Sequence, residues 1–342
     1  MPELLADHTT LRLGGPARSW VRAETEQDLV DAVRRADDAG EPVLVLAGGS
    51  NLVAADEGFA GTVVEVATTG VVADHAGEDP TRGSVIVTVA AGESWDGFVA
   101  TAVARGWVGV EALSGVPGSV GATPIQNVGA YGQEVSQTLA SVRVWDRALS
   151  GVRTFAAADC GFGYRTSRFK ADPARHVVLS ATFQLAQGDL GSPVTYAELA
   201  RILGVAPGAR APMTDVRRAV LDLRRGKGMV LDADDHDTWS AGSFFTNPVL
   251  PADAVPDGAP AWAQPAGTVK TSAAWLIERA GFEKGSGEGP AGLSTKHTLA
   301  LTNRGGATTA ELLALAREIR DGVEQRFGLR LVPEPVLVGC RL

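Results

Sequence analysis

The fold is decided by the stretch PVLVLAGGSN at residues 42–51, where an apolar run ends in two glycines, a serine and an asparagine. The run at 43–47 predicts a buried strand, and GTVVEV at 61–66 predicts the next one. Upstream, Thr25 and Asp28 form a weak capping box before an apolar stripe that Gly40 closes, which predicts a helix. A helix, a strand, a glycine-rich turn and a second strand indicate an α+β or α/β fold.

The composition limits the class of protein. A chain of 342 residues favours two domains, and 45% hydrophobic residues suffice for a sizeable core. The net charge of −9 argues against a nucleic-acid-binding protein but leaves an anionic small substrate possible. Cys160 and Cys340 are too few for a disulfide scaffold, and five scattered histidines predict no metal site.

The N-terminal residues predict no targeting segment. MPELLADHTT lacks the basic start and the apolar core of a signal peptide. The longest apolar runs are the length of strands, far short of a membrane span. We therefore expect a soluble cytoplasmic protein that does not insert into membranes.

The predicted secondary structure changes from mainly strands to mainly helices after a predicted linker at 187–193. Residues 71–190 contain short strand-like runs and a helix at 95–105. Beyond the linker, periodicity predicts helices at 196–203, 214–225, 271–280 and 308–327, the last with Thr308 and Glu311 as a capping box and Gly328 as its C-cap. Residues 251–267, rich in Pro, Ala and Gly, predict a surface loop, and 336–338 predict a final short strand.

Two glycine-rich segments are candidate ligand sites. Successive N–H groups at Gly48, Gly49, Ser50 and Asn51 can form a nest for a phosphate or pyrophosphate, although an ordinary tight turn has the same sequence. The G-x-G-x-x-G at 287–292 follows no predicted strand and contains Pro290, so it is not a dinucleotide-binding motif. Residues 115–132, GVPGSVGATPIQNVGAYG, form a long loop too apolar for the surface, which predicts a cofactor wall.

Three further residues are candidates for chemistry. They are Arg165 in YRTSRFK, Ser243 in GSFFTNP, and Glu334 between two prolines. Taken alone, Arg165 is explained by a surface ion pair, Ser243 by a turn or cap, and Glu334 by an edge-strand charge.

Read in order, six strings resemble the UDP-N-acetylenolpyruvoylglucosamine reductase (MurB) family, in its longer subtype with a substrate-covering tyrosine. They are AGGSNL (47–52), SGVPGSVGATPIQNVGAYGQE (114–134), YRTSRFK (164–170), GSFFTNP (242–248), KTSAAWLIERAGF (270–282) and PEPVLVG (333–339). The resemblance spans nearly the whole chain.

The resemblance implies an α+β fold with an FAD-binding region of the vanillyl-alcohol-oxidase (PCMH) type in residues 1–190. Its two subdomains would be about 1–70 and 71–190, and the last strand, in 332–342, is expected to rejoin the first of them. A smaller α+β substrate-binding domain would occupy 191–331.

The resemblance also implies non-covalent FAD, with its pyrophosphate on the 48–51 turn and its flavin against residues 114–132. The implied FAD-binding residues are Gly48, Gly49, Ser50, Asn51, Ser114, Gly115, Pro117, Gly118, Gly121, Ala122, Gln126, Asn127, Gly129 and Ala130. The implied substrate contacts are Tyr164, Tyr196, Lys227 and Asn247.

The implied reaction is the NADPH-dependent reduction of UDP-N-acetylglucosamine enolpyruvate to UDP-N-acetylmuramate, in peptidoglycan precursor synthesis. A hydride passes from flavin N5 to the enolpyruvyl CH2, and Ser243 gives the proton. Arg165 stabilises the charge that grows on the substrate carboxylate, and charge balance favours a protonated Glu334 with a raised pKa beside it. NADPH as the donor rests on the resemblance alone, and no oligomer is required.

Two alternatives stay open on the sequence. The first is an FAD-dependent alcohol or sugar oxidase of the same superfamily. Such oxidases often tether FAD through His or Cys, but no histidine lies in the 48–51 turn or between His75 and His176. The second is a non-catalytic UDP-sugar-binding protein, against which the joint presence of Arg165, Ser243 and Glu334 argues.

Overall fold

The computed structural model of the chain describes residues 2–76, 83–264 and 267–342. The α-helices of this part are α1 (Glu26–Asp38), α2 (Trp95–Ala104), α3 (Arg168–Ala171), α4 (Ala197–Leu203), α5 (Met213–Gly226), α6 (Ala273–Arg279) and α7 (Thr309–Phe327). The strands are β1 (Ala17–Ala23), β2 (Val43–Leu46), β3 (Leu52–Ala54), β4 (Phe59–Val66), β5 (Val71–Ala76), β6 (Ser84–Ala90), β7 (Trp107–Val108), β8 (Gly129–Ala130), β9 (Gln133–Glu134), β10 (Leu139–Asp146), β11 (Gly151–Ala156), β12 (His176–Gln187), β13 (Val249–Pro251), β14 (Ala261–Ala263), β15 (Thr268–Thr271), β16 (Ala291–Leu293), β17 (Leu301–Asn303) and β18 (Val336–Val338).

The chain divides into two compact units. Unit 1 consists of Met1–Arg18, Gly49–Ala60 and Gly226–Leu342, and unit 2 of Ser19–Gly48 and Gly61–Arg225. This division differs from the boundary predicted at residue 190, because residues 191–225 belong to unit 2, where Val194 and Val220 pack with Ala112 in one apolar cluster. The predicted domain limits remain a prediction. The final strand β18 pairs in parallel with β3 inside unit 1.

Two larger sheets and the short β8–β9 hairpin lie in the described part of unit 2. Strands β1, β4 and β2 form one in that order, with β2 parallel to β4. The second sheet has the order β11-β10-β12-β6-β5, with β7 added to β12, and its pairings are antiparallel. A shared apolar core joins the buried side of α1 to these strands and to α2, where the rings of Trp95, Phe98 and Phe183 pack together.

Unit 1 is built around α6 and α7. Their apolar faces pack against the β16–β17 hairpin and against Leu11, Leu13 and Val53 from the first part of the chain. The predicted surface loop at 251–267 is wrong in part, because β13, β15 and β14 form a small antiparallel sheet. Every residue of β14 is exposed, so this strand lacks the apolar alternation that would reveal it in the sequence.

The predicted helices are confirmed, and their ends follow local signals. Both capping boxes form: Thr25 and Asp28 exchange hydrogen bonds at the start of α1, and Thr308 and Glu311 do so at α7. Gly328 ends α7 in the left-handed conformation, with φ +68°. In the described part of the chain, every helix is too short or too polar to cross a membrane.

Candidate active site

The predicted phosphate-binding turn follows β2, at the carboxyl end of that strand. Gly49 has φ +55°, and a Cβ there would lie 1.9 Å from the carbonyl oxygen of His8. A Cβ on Gly48 would lie 2.7 Å from the Cα of Gly118. Glycine is therefore required at both positions, and unit 2 brings Gly48 against the second glycine-rich segment.

The middle of the long loop is fixed by its own backbone. The N–H groups of Val120 and Gly121 donate to the carbonyls of Glu93 and Ala91, each at 2.8 Å. A Cβ on Gly121 would lie 2.5 Å from the Cβ of Ala91. Packing against Ala91 thus explains Gly121 without a ligand, and the amide of Gly121 faces the protein.

An ion pair holds the start of this loop. The amide of Gly115 donates to Asp96 at 2.6 Å, and Arg217 donates two further hydrogen bonds to that carboxylate at 2.6 and 3.0 Å. Burial raises the pKa of Asp96, but the hydrogen bonds from Arg217 and Gly115 and the charges of Arg217 and Arg224 outweigh it and hold the pKa below its usual value. The Ser114 hydroxyl donates to the carbonyl of Glu111 at 2.7 Å, so its proton is bound within the protein.

Arg165 stands at the tip of a tight turn. Gly163 and Thr166 form an isolated antiparallel β-bridge that closes the turn, and Arg165 itself has φ +51°. Its Nη2 donates to the carbonyl of Gly129, a predicted FAD-binding residue, at 2.7 Å. The guanidinium carbon lies 5.5 Å from the centre of the Tyr164 ring. A left-handed conformation at a residue other than glycine stores strain, which is typical of functional sites.

The Asn127 side chain connects this turn to the long loop. Its amide donates to Glu134 at 2.9 Å and to the carbonyl of Gly163 at 3.1 Å, and its oxygen accepts from Ser136 N–H at 3.1 Å. Both amide hydrogens are bound to protein, and the residue is 1% exposed. The backbone is therefore the part of Asn127 that can face FAD.

Unit 1 brings three predicted site residues onto adjacent segments. The Glu334 N–H donates to the carbonyl of Phe244, the neighbour of Ser243, at 2.8 Å. The Asn51 amide donates to the carbonyl of Glu334 at 3.3 Å, and Val336 N–H donates back to the Asn51 carbonyl at 2.9 Å. Ser243 and Glu334 are both partly exposed, so their side chains can meet a ligand.

Two predicted substrate contacts also lie in unit 1: Asn247 on the segment of Ser243, and Lys227 on another segment. The Asn247 oxygen accepts from Ala273 N–H at 2.9 Å, at the start of α6, which leaves its amide group to face a ligand. Near Lys227 lies His297, whose pKa is lowered to about 4 by burial and then by the positive charges of Lys227 and Lys284. These two lysines create a locally positive environment, which suits a diphosphate.

Tyr196 lies in unit 2, immediately before α4, and is 39% exposed. The rings of Tyr196 and Tyr131 pack edge to face, with their centroids 5.4 Å apart. The tyrosine predicted to cover the substrate thus rests on the last part of the long loop.

Comparisons with known proteins identify the family of the chain. Residues 234–338 match the family described as UDP-N-acetylenolpyruvoylglucosamine reductase, C-terminal domain, and residues 17–153 match an FAD binding domain. The chain is 57% identical over 341 residues to UDP-N-acetylenolpyruvoylglucosamine reductase of Cutibacterium acnes, covering 99% of this chain and 90% of that protein. The chain belongs to the UDP-N-acetylenolpyruvoylglucosamine reductase (MurB) family.

Other MurB proteins extend the match. The Thermobifida fusca enzyme of this name is also 57% identical, with 99% of this chain and 97% of that protein covered. The solved MurB structure from Thermus caldophilus is 26% identical and superimposes with a TM-score of 0.66, over 99% of this chain and 98% of that chain. Membership in the MurB family confirms the predicted fold class, the FAD cofactor and the oxidoreductase activity.

The described residues fit the FAD of a MurB protein. The hydroxyl of Ser119, on the long loop, is buried and has no hydrogen-bond partner in the described parts of the chain. Buried polar groups are almost always satisfied, so this hydroxyl points to a polar ligand. Ser119 directly follows Gly118, whose backbone packs against Gly48 of the predicted phosphate-binding turn.

Sequence reasoning missed two residues that the structure places beside predicted site residues. Ser119 stood inside the predicted loop, but a serine among glycines carries no signal of burial. His297 was one of five scattered histidines, and only the fold places it near Lys227 and Lys284.

Proposed function

We propose that Arg165, Ser243 and Glu334 carry the reaction of this enzyme, the FAD-dependent reduction of the enolpyruvyl ether of UDP-N-acetylglucosamine in peptidoglycan synthesis. When bound, FAD supplies the hydride that adds to the terminal CH2 of the enolpyruvyl group. The observation that carries the proposal is in unit 1, where the backbone of Glu334 is fixed between Phe244, next to Ser243, and Asn51 of the glycine-rich turn.

Arg165 is assigned to the substrate carboxylate. Addition of hydride to an α,β-unsaturated carboxylate builds negative charge on the carboxylate as an enolate-like species. A guanidinium can bind it with two parallel hydrogen bonds, and such stabilisation is commonly worth about 3 kcal/mol. The turn at 163–166 and the hydrogen bond to Gly129 support this assignment, because they fix the guanidinium in advance.

Ser243 is assigned as the proton donor. A hydroxyl is a weak acid, but the enolate is a strong base, so transfer is feasible when the geometry is held. Gly242, with φ +70°, and the hydrogen bond from Phe244 N–H to the Leu299 carbonyl at 2.7 Å hold the backbone on both sides of Ser243. A protonated Glu334 would donate a hydrogen bond to the substrate without opposing its negative charge.

The finer assignments belong to the same proposal. NADPH is the source of the hydride that reduces FAD, and Tyr164, Tyr196, Lys227 and Asn247 contact the substrate. The positive charges of Lys227 and Lys284 support a diphosphate in unit 1. The proposal requires no oligomer and places the enzyme in the cytoplasm.

The experiment separates the two half-reactions by anaerobic stopped-flow absorbance of the flavin. Ser243→Ala should leave flavin reduction by NADPH near the native rate and slow reoxidation by the enolpyruvyl substrate about 10²-fold or more. Thr246→Val is the matched control, because it removes a hydroxyl from the same segment, one that donates only to the Val332 carbonyl at 3.4 Å. Native reoxidation in Ser243→Ala would mean that the proton has another source.

A further inference from the structure

Glu111 is a buried carboxylate at the entry to the long loop, with no role in the chemistry described above. It is 1% exposed. Its Oε2 accepts from Gly109 N–H at 2.7 Å, and its Oε1 accepts from the Gln133 amide at 2.9 Å and from Ser192 N–H at 2.5 Å. All three partners are donors, so both oxygens act only as acceptors.

Through Gln133, this carboxylate closes the loop at both ends. The Gln133 oxygen accepts from Ala112 N–H at 2.7 Å, while its amide donates to Glu111. Residues 114–132, which carry most of the predicted FAD contacts, thus begin and end on one hydrogen-bonded pair.

Through Ser192, the same carboxylate also holds the segment that leads to Tyr196. A Cβ on Gly191 would lie 2.8 Å from Oε1 of Glu111, so this approach requires glycine. Farther along, a Cβ on Gly132 would lie 2.4 Å from the Thr195 hydroxyl, and Tyr131 packs against Tyr196. The FAD loop and the tyrosine segment are therefore joined at several points within unit 2.

We propose that Glu111 is a positioning residue that holds the Tyr196 segment against the closed FAD loop, so that substrate affinity depends on this carboxylate. The inference rests on the proposed role of Tyr196 as a substrate contact. It adds a residue that touches neither substrate nor FAD and acts through Ser192 and Gln133.

Glu111→Gln tests the proposal with almost no change in size. A glutamine must turn an NH2 toward either Gly109 N–H or the donors of Ser192 and Gln133, so at least one contact becomes a clash of donors. In the FAD-loaded protein, we expect the substrate Kd, read from the flavin spectrum, to rise about tenfold. Hydrogen exchange at the Ser192 amide should accelerate by a similar factor, and flavin reduction by NADPH should change less than about twofold.

Glu93→Gln is the matched control. Glu93 also accepts a backbone N–H, that of Gly70 at 2.7 Å, but the bond does not involve the loop ends or the Tyr196 segment. The substrate Kd of Glu93→Gln, and the rate of hydrogen exchange at its Ser192 amide, should equal those of the wild type.

Gly191→Ala keeps the test decisive if Glu111→Gln fails to fold. Gly191 does not have a left-handed φ, so alanine fits the backbone, and the three atoms nearest to its Cβ all belong to the Glu111 side chain. A wild-type substrate Kd in either folded variant would overturn the proposal, whatever the exchange rates. Failure of the proposed function is distinct, because then the wild-type enzyme itself would not reoxidise its flavin with the enolpyruvyl substrate.

Discussion

At the scale of single residues, His297 makes the pH dependence of unit 1 testable. Burial and the charges of Lys227 and Lys284 lower its pKa to about 4. Because the folded-state pKa is below the unfolded value of about 6.5, its contribution to stability is complete above pH 6.5 and is lost as the pH falls toward 4. We expect the free energy of unfolding of the wild type to decline through this window more than that of His297→Gln, as measured by urea denaturation.

Lys227→Met provides the check on the cause. Removing one of the two neighbouring charges should raise the pKa of His297, as followed by NMR titration of its Cε1 proton. An unchanged midpoint would show that the charge of Lys227 does not lower the pKa of His297.

The residue scale is also where the sequence was least informative. The motif named Gly49 as a glycine for a phosphate, but its left-handed φ and the His8 carbonyl at 1.9 Å from a Cβ require glycine for the fold alone. Asn127 was predicted to bind FAD, and its side-chain amide donates its hydrogen bonds to the Glu134 carboxylate and the Gly163 carbonyl. A motif names the residue that is needed, whereas the atoms it contacts depend on segments far away in sequence.

At the scale of secondary-structure elements, Asp146 holds the β10–β11 hairpin to the segment before β12. The carboxylate is fully buried and accepts two hydrogen bonds from Arg175, both at 3.0 Å, and one from Leu149 N–H at 3.3 Å. The hydrogen bond from Arg175 lowers its pKa to about 2, against an opposing effect of burial. Its stabilising effect is therefore complete above about pH 4 and is lost as the pH falls toward 2.

Asp146→Asn should lower the free energy of unfolding by about 2 kcal/mol at pH 7, because asparagine lacks the charge that interacts with Arg175 and lowers the pKa of the native carboxyl to about 2. The difference from the wild type should narrow between pH 4 and pH 2. Asp222→Asn is the control, since its ion pair with Arg225 is exposed and should be worth less than about 1 kcal/mol. Equal losses in the two variants, measured by urea denaturation, would contradict the assigned role of burial.

Elements were predicted well where the signal is local. Within each capping box, at the start of α1 and of α7, the two partners lie three residues apart in sequence, and both boxes form as expected. The exposed strand β14 gave no such signal, because its pairing with β15 depends on backbone hydrogen bonds rather than on a buried face. Sequence periodicity reports burial, so a strand without burial is not visible to it.

At the scale of the whole molecule, Cys160 can report how FAD stabilises the protein. Burial raises the pKa of its thiol to about 11, so labelling of the native protein at pH 8 should require an opening of unit 2. In a Cys340→Ser background, FAD at 100 times its Kd should slow labelling about 100-fold if opening releases the cofactor. Labelling followed by mass spectrometry at rates independent of FAD would show that Cys160 opens without loss of FAD.

The order of motifs predicted the family and the fold class, and the resemblance implied that the last strand rejoins the first subdomain. Neither showed that unit 1 is assembled from three separate segments. Hydrophobic patterns extend over ten or twenty residues. The pairing of β3 with β18 joins strands from opposite ends of the chain, and no local pattern encodes such a contact.

That discontinuity has a consequence for synthesis on the ribosome. The hydrogen bond from Asn51 to Glu334 spans 283 residues. At about 5–20 residues per second, about 15–60 s of translation separate these two positions. During this interval the segments of unit 2 are completed. The C-terminal residues that bury Leu11, Leu13 and Val53 are synthesised only afterwards. The nascent chain therefore presents these apolar side chains to chaperones until its last strand emerges.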